Sequence, residues 1–237
     1  MIEVRGVSKN FGRLEVLREL SLSIASNRIT ALIGPNASGK TTLAKIILGL
    51  ARPDHGSVEV AGCSVAAGDD YRRQIGYMPQ LARFPENLSA RELLAMLSDL
   101  RKFSQPLDED LQERFAFGAE LNKPLRTLSG GTRQKVNAMI AFLFKPDLLI
   151  LDEPTAGLDP VASGVLKDKI LREKGLGKTF LLTSHIMSEL EELADDVAFI
   201  NEGRVAFTGS QSELKRLTRQ SNLERAIAEI MKRGVAA

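Results

Sequence analysis

The sequence predicts an α/β fold, and three observations carry that expectation. Short apolar runs alternate with helical stretches along the whole chain. One apolar run ends in a glycine-rich loop that opens directly into a helix. Another, Leu148 to Leu151, ends in two adjacent carboxylates, Asp152 and Glu153.

The elements follow in order. Val16 to Ser26 reads as a strand, and Arg28 to Gly34 as a short buried one. Leu43, Ile46, Ile47 and Leu50 fall at i, i+3, i+4 and i+7, one face of a helix, with Gly49 and Pro53 near its end. After the turn at Pro53–Gly56, Ser57 to Val65 is a further strand; His55 is expected in solvent and Cys63 as a packed thiol. Ile75 to Met78 is a strand leading to Gln80. The stretch 81–127 carries little strand signal and reads as a mostly helical insert, with a capping box at Ser89 and Glu92. Val136, Met139, Ile140 and Leu143 mark another amphipathic helix. Thr179 to Thr183 and Val197 to Ile200 are strands, with a helix around Met187 to Ala194 between them. Beyond Gly209 the pattern becomes charged helix, with capping boxes at Ser210/Glu213 and Ser221/Glu224.

Composition narrows the class. A chain of 237 residues suits one domain with a subdomain inserted in it. The net charge is only +2, without a run of like charge, so neither a nucleic-acid patch nor a lipid patch is expected. A single cysteine cannot pair internally, which points to a reducing compartment. Met1 to Arg5 does not read as the start of a signal peptide, and no apolar run approaches the roughly 20 residues needed to span a bilayer. Neither His55 nor Cys63 has partners at metal-ligand spacing, so no protein-bound metal centre is expected from them.

The chemistry lies in three segments. Gly34-Pro35-Asn36-Ala37-Ser38-Gly39-Lys40-Thr41, with Thr42 after it, matches the phosphate-loop pattern GxxxxGK[ST]. Its backbone N–H groups can wrap phosphates, and the helix behind it adds the positive end of its dipole. Lys40 can reach the β- and γ-phosphates, and the Thr41 hydroxyl can bind Mg²⁺. Asp152 and Glu153 supply the second half of a nucleotide site, Asp152 for Mg²⁺ and Glu153 to polarise the attacking water. Leu128-Ser129-Gly130-Gly131-Thr132 precedes a helix, where two glycines let an anion approach. On its own that segment reads equally well as a turn with a serine N-cap.

Taken together, these segments resemble the ABC ATPase family, whose signature is LSGGQ followed by a helix. Their order fits too: phosphate loop, Gln80 after a strand, LSGG, LLILDE, Gly157-Leu158-Asp159, then His185. The likeness covers residues 1 to about 210, with residues 211–237 as a C-terminal helical extension and the helical insert at about 81–135. It implies a P-loop NTPase core of RecA-like type, with an antiparallel β subdomain and an inserted α-helical subdomain. It also implies ATP and Mg²⁺ as ligands and ATP hydrolysis as the reaction. By resemblance, Gln80 approaches Mg²⁺ and senses the transporter, Asp159 lies at a dimer interface, and His185 contacts the γ-phosphate. Ser129, Gly130 and Gly131 would complete the site of a second copy of the chain. The implied partners are that second copy, an integral-membrane permease and a periplasmic accessory protein, with no nucleic acid. The implied location is peripheral, on the cytoplasmic face of the inner membrane.

This chain departs from the family pattern twice. Thr132 replaces the usual signature glutamine, and Phe11 stands where many members carry a tyrosine that stacks on adenine. Phe11 keeps a ring for stacking, although plain packing is the competing reading. A DNA- or ribosome-directed ABC ATPase fits poorly, because only 47 residues separate Gln80 from Leu128, without sustained heptads. A binding-only relative fits no better, since Lys40, Asp152, Glu153 and His185 are all present. Among transporters, the segments LSGGTRQKVN and ILDEPTAGLDPVAS and the short C-terminal extension are similar to the Nos-type ATPase subunit, which serves copper-centre maturation in denitrification. A general export ATPase of unknown cargo is the alternative. Leu81, Phe84 and the helix from Ser89 are the expected contact for the permease. Leu223, Ile227, Ile230 and Met231 form a helical face expected to support the dimer.

Overall fold

The structure is a computed structural model that describes residues 1–233, and among them the chain forms ten strands and eight α-helices. Strands β1 (Ile2–Phe11) and β2 (Leu14–Ile24) pair antiparallel. The central strand β3 (Ile29–Ile33) leads through the glycine-rich loop into α1 (Lys40–Ile47). Strands β4 (His55–Val60) and β5 (Cys63–Ser64) complete an antiparallel sheet of order β2-β1-β4-β5. Next come β6 (Ile75–Met78), then α2 (Ala90–Arg101), α3 (Asp110–Arg114) and α4 (Gly130–Phe142). The second half runs β7 (Leu148–Asp152), α5 (Pro160–Gly175), β8 (Thr179–Thr183), α6 (Met187–Leu193), β9 (Asp196–Asn201) and β10 (Arg204–Ser210). Two helices end the described chain, α7 (Gln211–Thr218) and α8 (Leu223–Arg233).

The larger sheet has the order β10-β9-β3-β8-β7-β6, parallel except for β10. Both of its faces are covered, so its strands read as unbroken apolar runs rather than alternating ones. Alternate residues feed two cores. Leu149, Leu151, Phe180, Leu182, Val197 and Phe199 face the helical side. Leu148, Ile150, Leu181, Ala198 and Ile200 face α1 and the antiparallel sheet. Parallel strands place the carboxyl ends of β3, β7 and β8 at one edge, the usual place for a ligand in an open α/β sheet.

Several local expectations are corrected. β1 and β10 are strands beyond those expected: β1 alternates only over Ile2–Arg5, and β10 has no buried residue. Helix α1 stops at Ile47, so Leu50 lies beyond it, 63% exposed. The strand expected over Ser57 to Val65 is broken at Ala61-Gly62, and Cys63, on the short outer strand β5, is exposed rather than packed. In contrast, the Ser89/Glu92 capping box is present with both of its hydrogen bonds. At the start of α8 the cap is Asn222, whose side chain accepts from the Arg225 N–H, and not Ser221. The apolar face of α8 packs on its own chain: Leu223, Ala226, Ile227 and Ile230 are buried in the helical-side core, while Met231 is exposed. The part of the C-terminal extension beyond residue 233 lies outside the described residues.

Candidate active site

Three strand ends assemble an open cleft of about 480 Å³. From the β3 end come Asn36, Ala37, Ser38, Gly39, Lys40, Thr41 and Thr42; from the β7 end, Asp152 and Glu153; from the β8 end, Thr183 and His185. Gln80, two residues after β6, and Phe11, Leu14 and Val16 of the antiparallel sheet close its walls. Of the other loop residues, Gly34 and Pro35 do not line the cleft; they hold its lysine from behind.

Loop geometry explains its composition. Gly39 is the N-cap of α1 at φ 105°, a left-handed conformation that side chains rarely adopt. A Cβ there would lie 2.5 Å from the Leu17 side chain. Lys40 Nζ donates to the carbonyls of Gly34 at 2.7 Å and Pro35 at 2.9 Å, so the side chain folds back over its own loop. An ammonium has three N–H donors, and one remains beyond these two. Burial pushes the Lys40 ammonium below its ordinary pKa, opposed by Asp152 and Glu153. Those carboxylates face it across the cleft and favour the charged form.

The carboxylates have separate surroundings. Asp152 accepts a hydrogen bond from the Thr183 hydroxyl, a partner that no local motif singles out. Glu153 has only 13% of its side chain exposed, and burial holds its carboxyl above the usual range. His185 works against that rise: its Nε2 lies 3.1 Å from Glu153 Oε1. The Glu153 backbone sits at φ 53°, with its N–H bonded to the Thr183 carbonyl at 3.0 Å. A carboxylate raised in pKa by burial and set next to an imidazole suits proton transfer from water.

The donors available for a cation are oxygens: the Thr41 hydroxyl, the Asp152 carboxylate and the Gln80 side-chain amide. That set fits Mg²⁺, which is bound by one or two carboxylates together with substrate phosphates rather than by a protein cage. Among the described residues there is no group of three or more His, Cys, Asp or Glu able to hold a metal.

Phe11 is 54% exposed at the mouth of the cleft, with Lys9 Nζ 5.4 Å from its ring centroid. This exposure weighs against plain packing. Ser129, Gly130, Gly131 and Asp159 do not line the cleft of their own chain. Ser129 caps α4 by accepting from the Thr132 N–H at 3.2 Å, and its hydroxyl pairs with that of Thr132 at 2.8 Å. Gly130 has open space around it, whereas a Cβ on Gly131 would come within 2.7 Å of the Gly157 carbonyl. Asp159 caps α5 through the Ala162 N–H and pairs with Lys135 at 3.4 Å.

The family model described as ABC transporter matches residues 17–156, more than half of the chain. The chain belongs to the ABC transporter family. Its similar ABC relatives include a daunorubicin resistance ATP-binding protein from Streptomyces coeruleorubidus, 33% identical over 99% of this chain and 76% of that protein. A lantibiotic transport ATP-binding protein from Streptococcus pyogenes is 33% identical over 86% of this chain and 89% of its own length. The Nod factor export ATP-binding protein I of Sinorhizobium fredii is 37% identical over 88% of this chain and 62% of that relative. Among solved structures, one described as the ATP-binding subunit of an ABC transporter superposes with a TM-score of 0.90 at 30% identity, covering 98% of this chain and 99% of that one. A dimeric ATP-binding cassette bound to ADP and Pi shares the fold, with a TM-score of 0.79 at 23% identity. This chain is thus an ABC-type ATPase and an ATP-binding subunit of a transporter. No helix among the described residues is long and apolar enough to cross a membrane.

Sequence reasoning missed three participants. Thr183 carries no sequence signal beyond ending a strand. Gln134 and Asn137 are polar residues on the buried face of α4, 8% and 2% exposed. Two amides spaced i, i+3 among the apolar residues of one helix were the available signal.

Proposed function

We propose that two copies of this chain close face to face around Mg-ATP, hydrolyse it, and drive an integral-membrane permease that exports its cargo. The observation that carries this reading is the split of the motifs. Lys40, Thr41, Gln80, Asp152, Glu153 and His185 converge on one cleft, while the signature residues Ser129 to Gly131 lie outside it with the exposed Gly130 free of neighbours. A second copy presenting its α4 N-terminus would complete that cleft with backbone N–H groups and a helix dipole.

In the closed site, Lys40 would neutralise phosphate charge, and Thr41, Asp152 and Gln80 would hold the cation. Mg²⁺ there would supply charge neutralisation between the phosphates. Glu153 orients and deprotonates the attacking water, and His185 steadies both Glu153 and the γ-phosphate. Phe11 stacks on the adenine.

The names of the similar relatives favour an export system, as three of them concern drug resistance, lantibiotic transport and Nod factor export. The narrower Nos-type role in copper-centre maturation, with a periplasmic accessory protein, rests on the likeness of the signature segment, the Asp159 segment and the C-terminal extension, so the general export reading is preferred. Attachment to the cytoplasmic face of the membrane comes through the permease. Leu81, 81% exposed beside Gln80, is the surface residue that best fits that contact; Phe84 is partly buried against the helical-side core.

The test is membrane fractionation with ATPase assay in the source cells. Leu81→Asp is expected to move the chain from membrane to soluble fraction while its ATPase persists. A wild-type chain that is never membrane-bound, or a Leu81→Asp chain that stays bound, would sink the permease contact.

A further inference from the structure

We propose that Gln134 and Asn137 on α4 are positioning residues that hold the Glu153 backbone in its working conformation and tie it to the peptide before Gln80. The inference rests on the reading of Glu153 as the group that activates water.

The hydrogen bonds form a chain with one consistent polarity. Asn137 Nδ2 donates to the Pro79 carbonyl at 2.8 Å and to Gln134 Oε1 at 3.3 Å. Gln134 Nε2 donates in turn to the carbonyls of Glu153 at 3.3 Å and Pro154 at 3.2 Å. Two carbonyls facing one group require a donor there, and the bond from Asn137 keeps the Gln134 amide from turning over. Both amides are at least nine-tenths buried, so water does not readily replace these bonds.

What the chain holds is a strained residue. Glu153 has φ 53°, a region that side chains other than glycine rarely occupy. Its N–H is fixed by the Thr183 carbonyl at 3.0 Å, and its carbonyl by Gln134. With both peptide groups gripped, the carboxylate is delivered into the cleft 3.1 Å from His185. Such a conformation persists only where the surroundings over-determine it. Two further contacts bind α4 to the same segment: the close approach of Gly131 to the Gly157 carbonyl and the pair of Lys135 with Asp159. At its other end the chain grips Pro79, so a displacement of the segment after β6 reaches Glu153 through two side chains. Neither amide lines the cleft.

The experiment compares Gln134→Met, which keeps size but cannot donate, with Gln134→Glu and Asn137→Leu in the full chain. Turnover is measured as kcat, and nucleotide binding as the affinity for a non-hydrolysable ATP analogue. Gln134→Met is expected to lower kcat on the order of 10- to 100-fold, the scale of a slightly misplaced catalytic group, with analogue affinity within about twofold of wild type. Asn137→Leu should do the same, and the double variant should be no worse than the more damaged single one, because the two act in one chain. The ratio of Gln134→Glu kcat to wild-type kcat at the same pH should approach one at low pH, where its carboxylic acid can donate, and fall as pH rises and the donor is lost. Wild-type kcat in Gln134→Met, equal losses of kcat and analogue affinity, losses that multiply in the double variant, or a Gln134→Glu to wild-type kcat ratio that does not change with pH would each overturn the proposal. If Gln134→Met does not fold, Asn137→Leu and the pH profile of Gln134→Glu decide. An active Glu153→Gln variant would instead remove the water-activation reading itself, so the two failures are separable.

Discussion

Glu153 Oε1 and His185 Nε2 stand 3.1 Å apart at the ends of neighbouring parallel strands, one side chain mostly buried and the other 58% exposed. The pair joins a protected carboxylate to an imidazole that solvent and a second chain can reach. Burial raises the Glu153 pKa and His185 lowers it, so the pair sets the pH at which the carboxylate is available as a base.

That relationship has a sign that can be measured. Glu153 must be ionised to accept a proton, so kcat falls as pH drops through its pKa, at a pH above the ordinary glutamate range. Removing His185 removes the influence that lowers this pKa. In His185→Ala the acid limb of the residual kcat profile is therefore expected to move to higher pH. A limb that stays in place or moves to lower pH would contradict the pairing.

Glu153→Gln keeps shape and hydrogen bonding but removes the base. Turnover should drop by roughly 10²–10⁴-fold, the usual contribution of a positioned general base, while ATP still binds. Two copies should then remain closed around ATP, visible as a stable dimer in size-exclusion chromatography. Wild-type hydrolysis by this variant would show that another group activates the water.

Phe11→Ala separates stacking from packing. The ring is half exposed, so its loss should leave the melting temperature nearly unchanged. ATP affinity should weaken by about 1–3 kcal/mol, the range for base–aromatic stacking. Unchanged affinity with a lower melting temperature would be the opposite result.

The two signature glycines should respond differently. Gly130 meets nothing within 4 Å in its own chain, so Gly130→Asp is expected to fold and bind ATP as a monomer but fail to dimerise. Gly131→Ala would place a methyl 2.7 Å from the Gly157 carbonyl and should disturb α4 within one subunit. ATP-driven dimerisation of Gly130→Asp at the wild-type level would rule out a site completed by a second copy.

Removing residues from 221 onward should unfold rather than merely separate the chains. α8 buries Leu223, Ala226, Ile227 and Ile230 in the core, and each large aliphatic side chain contributes about 1.5–3 kcal/mol. A loss of several kcal/mol is a large share of ordinary domain stability. A truncated chain with unchanged thermal unfolding would show that this packing contributes little. The expectation that the tail face serves the dimer is replaced by this one: an amphipathic helix looks the same in sequence whether its partner is its own core or another chain.

The sequence by itself determined the class of site. A glycine-rich loop ending in Lys40-Thr41 and an apolar strand ending in Asp152-Glu153 are local patterns, since their chemistry depends on neighbours a few residues away. The buried strands were legible for the same reason: a sheet covered on both faces makes every residue of β3 and β8, and all of β7 except its terminal Asp152, apolar or small. β1, an inner strand interrupted by three register shifts against β2, and β10, an edge strand without a buried residue, were less legible, because neither presents an unbroken apolar run. Only the tertiary structure decided the non-local relations. It brought Thr183 to Asp152 across 31 residues and Asn137 to Pro79 across 58, and it turned α8 inward onto its own core. Such pairs leave little trace in a single sequence, because a buried amide or hydroxyl acquires its partner from strand order and helix packing, not from its place along the chain.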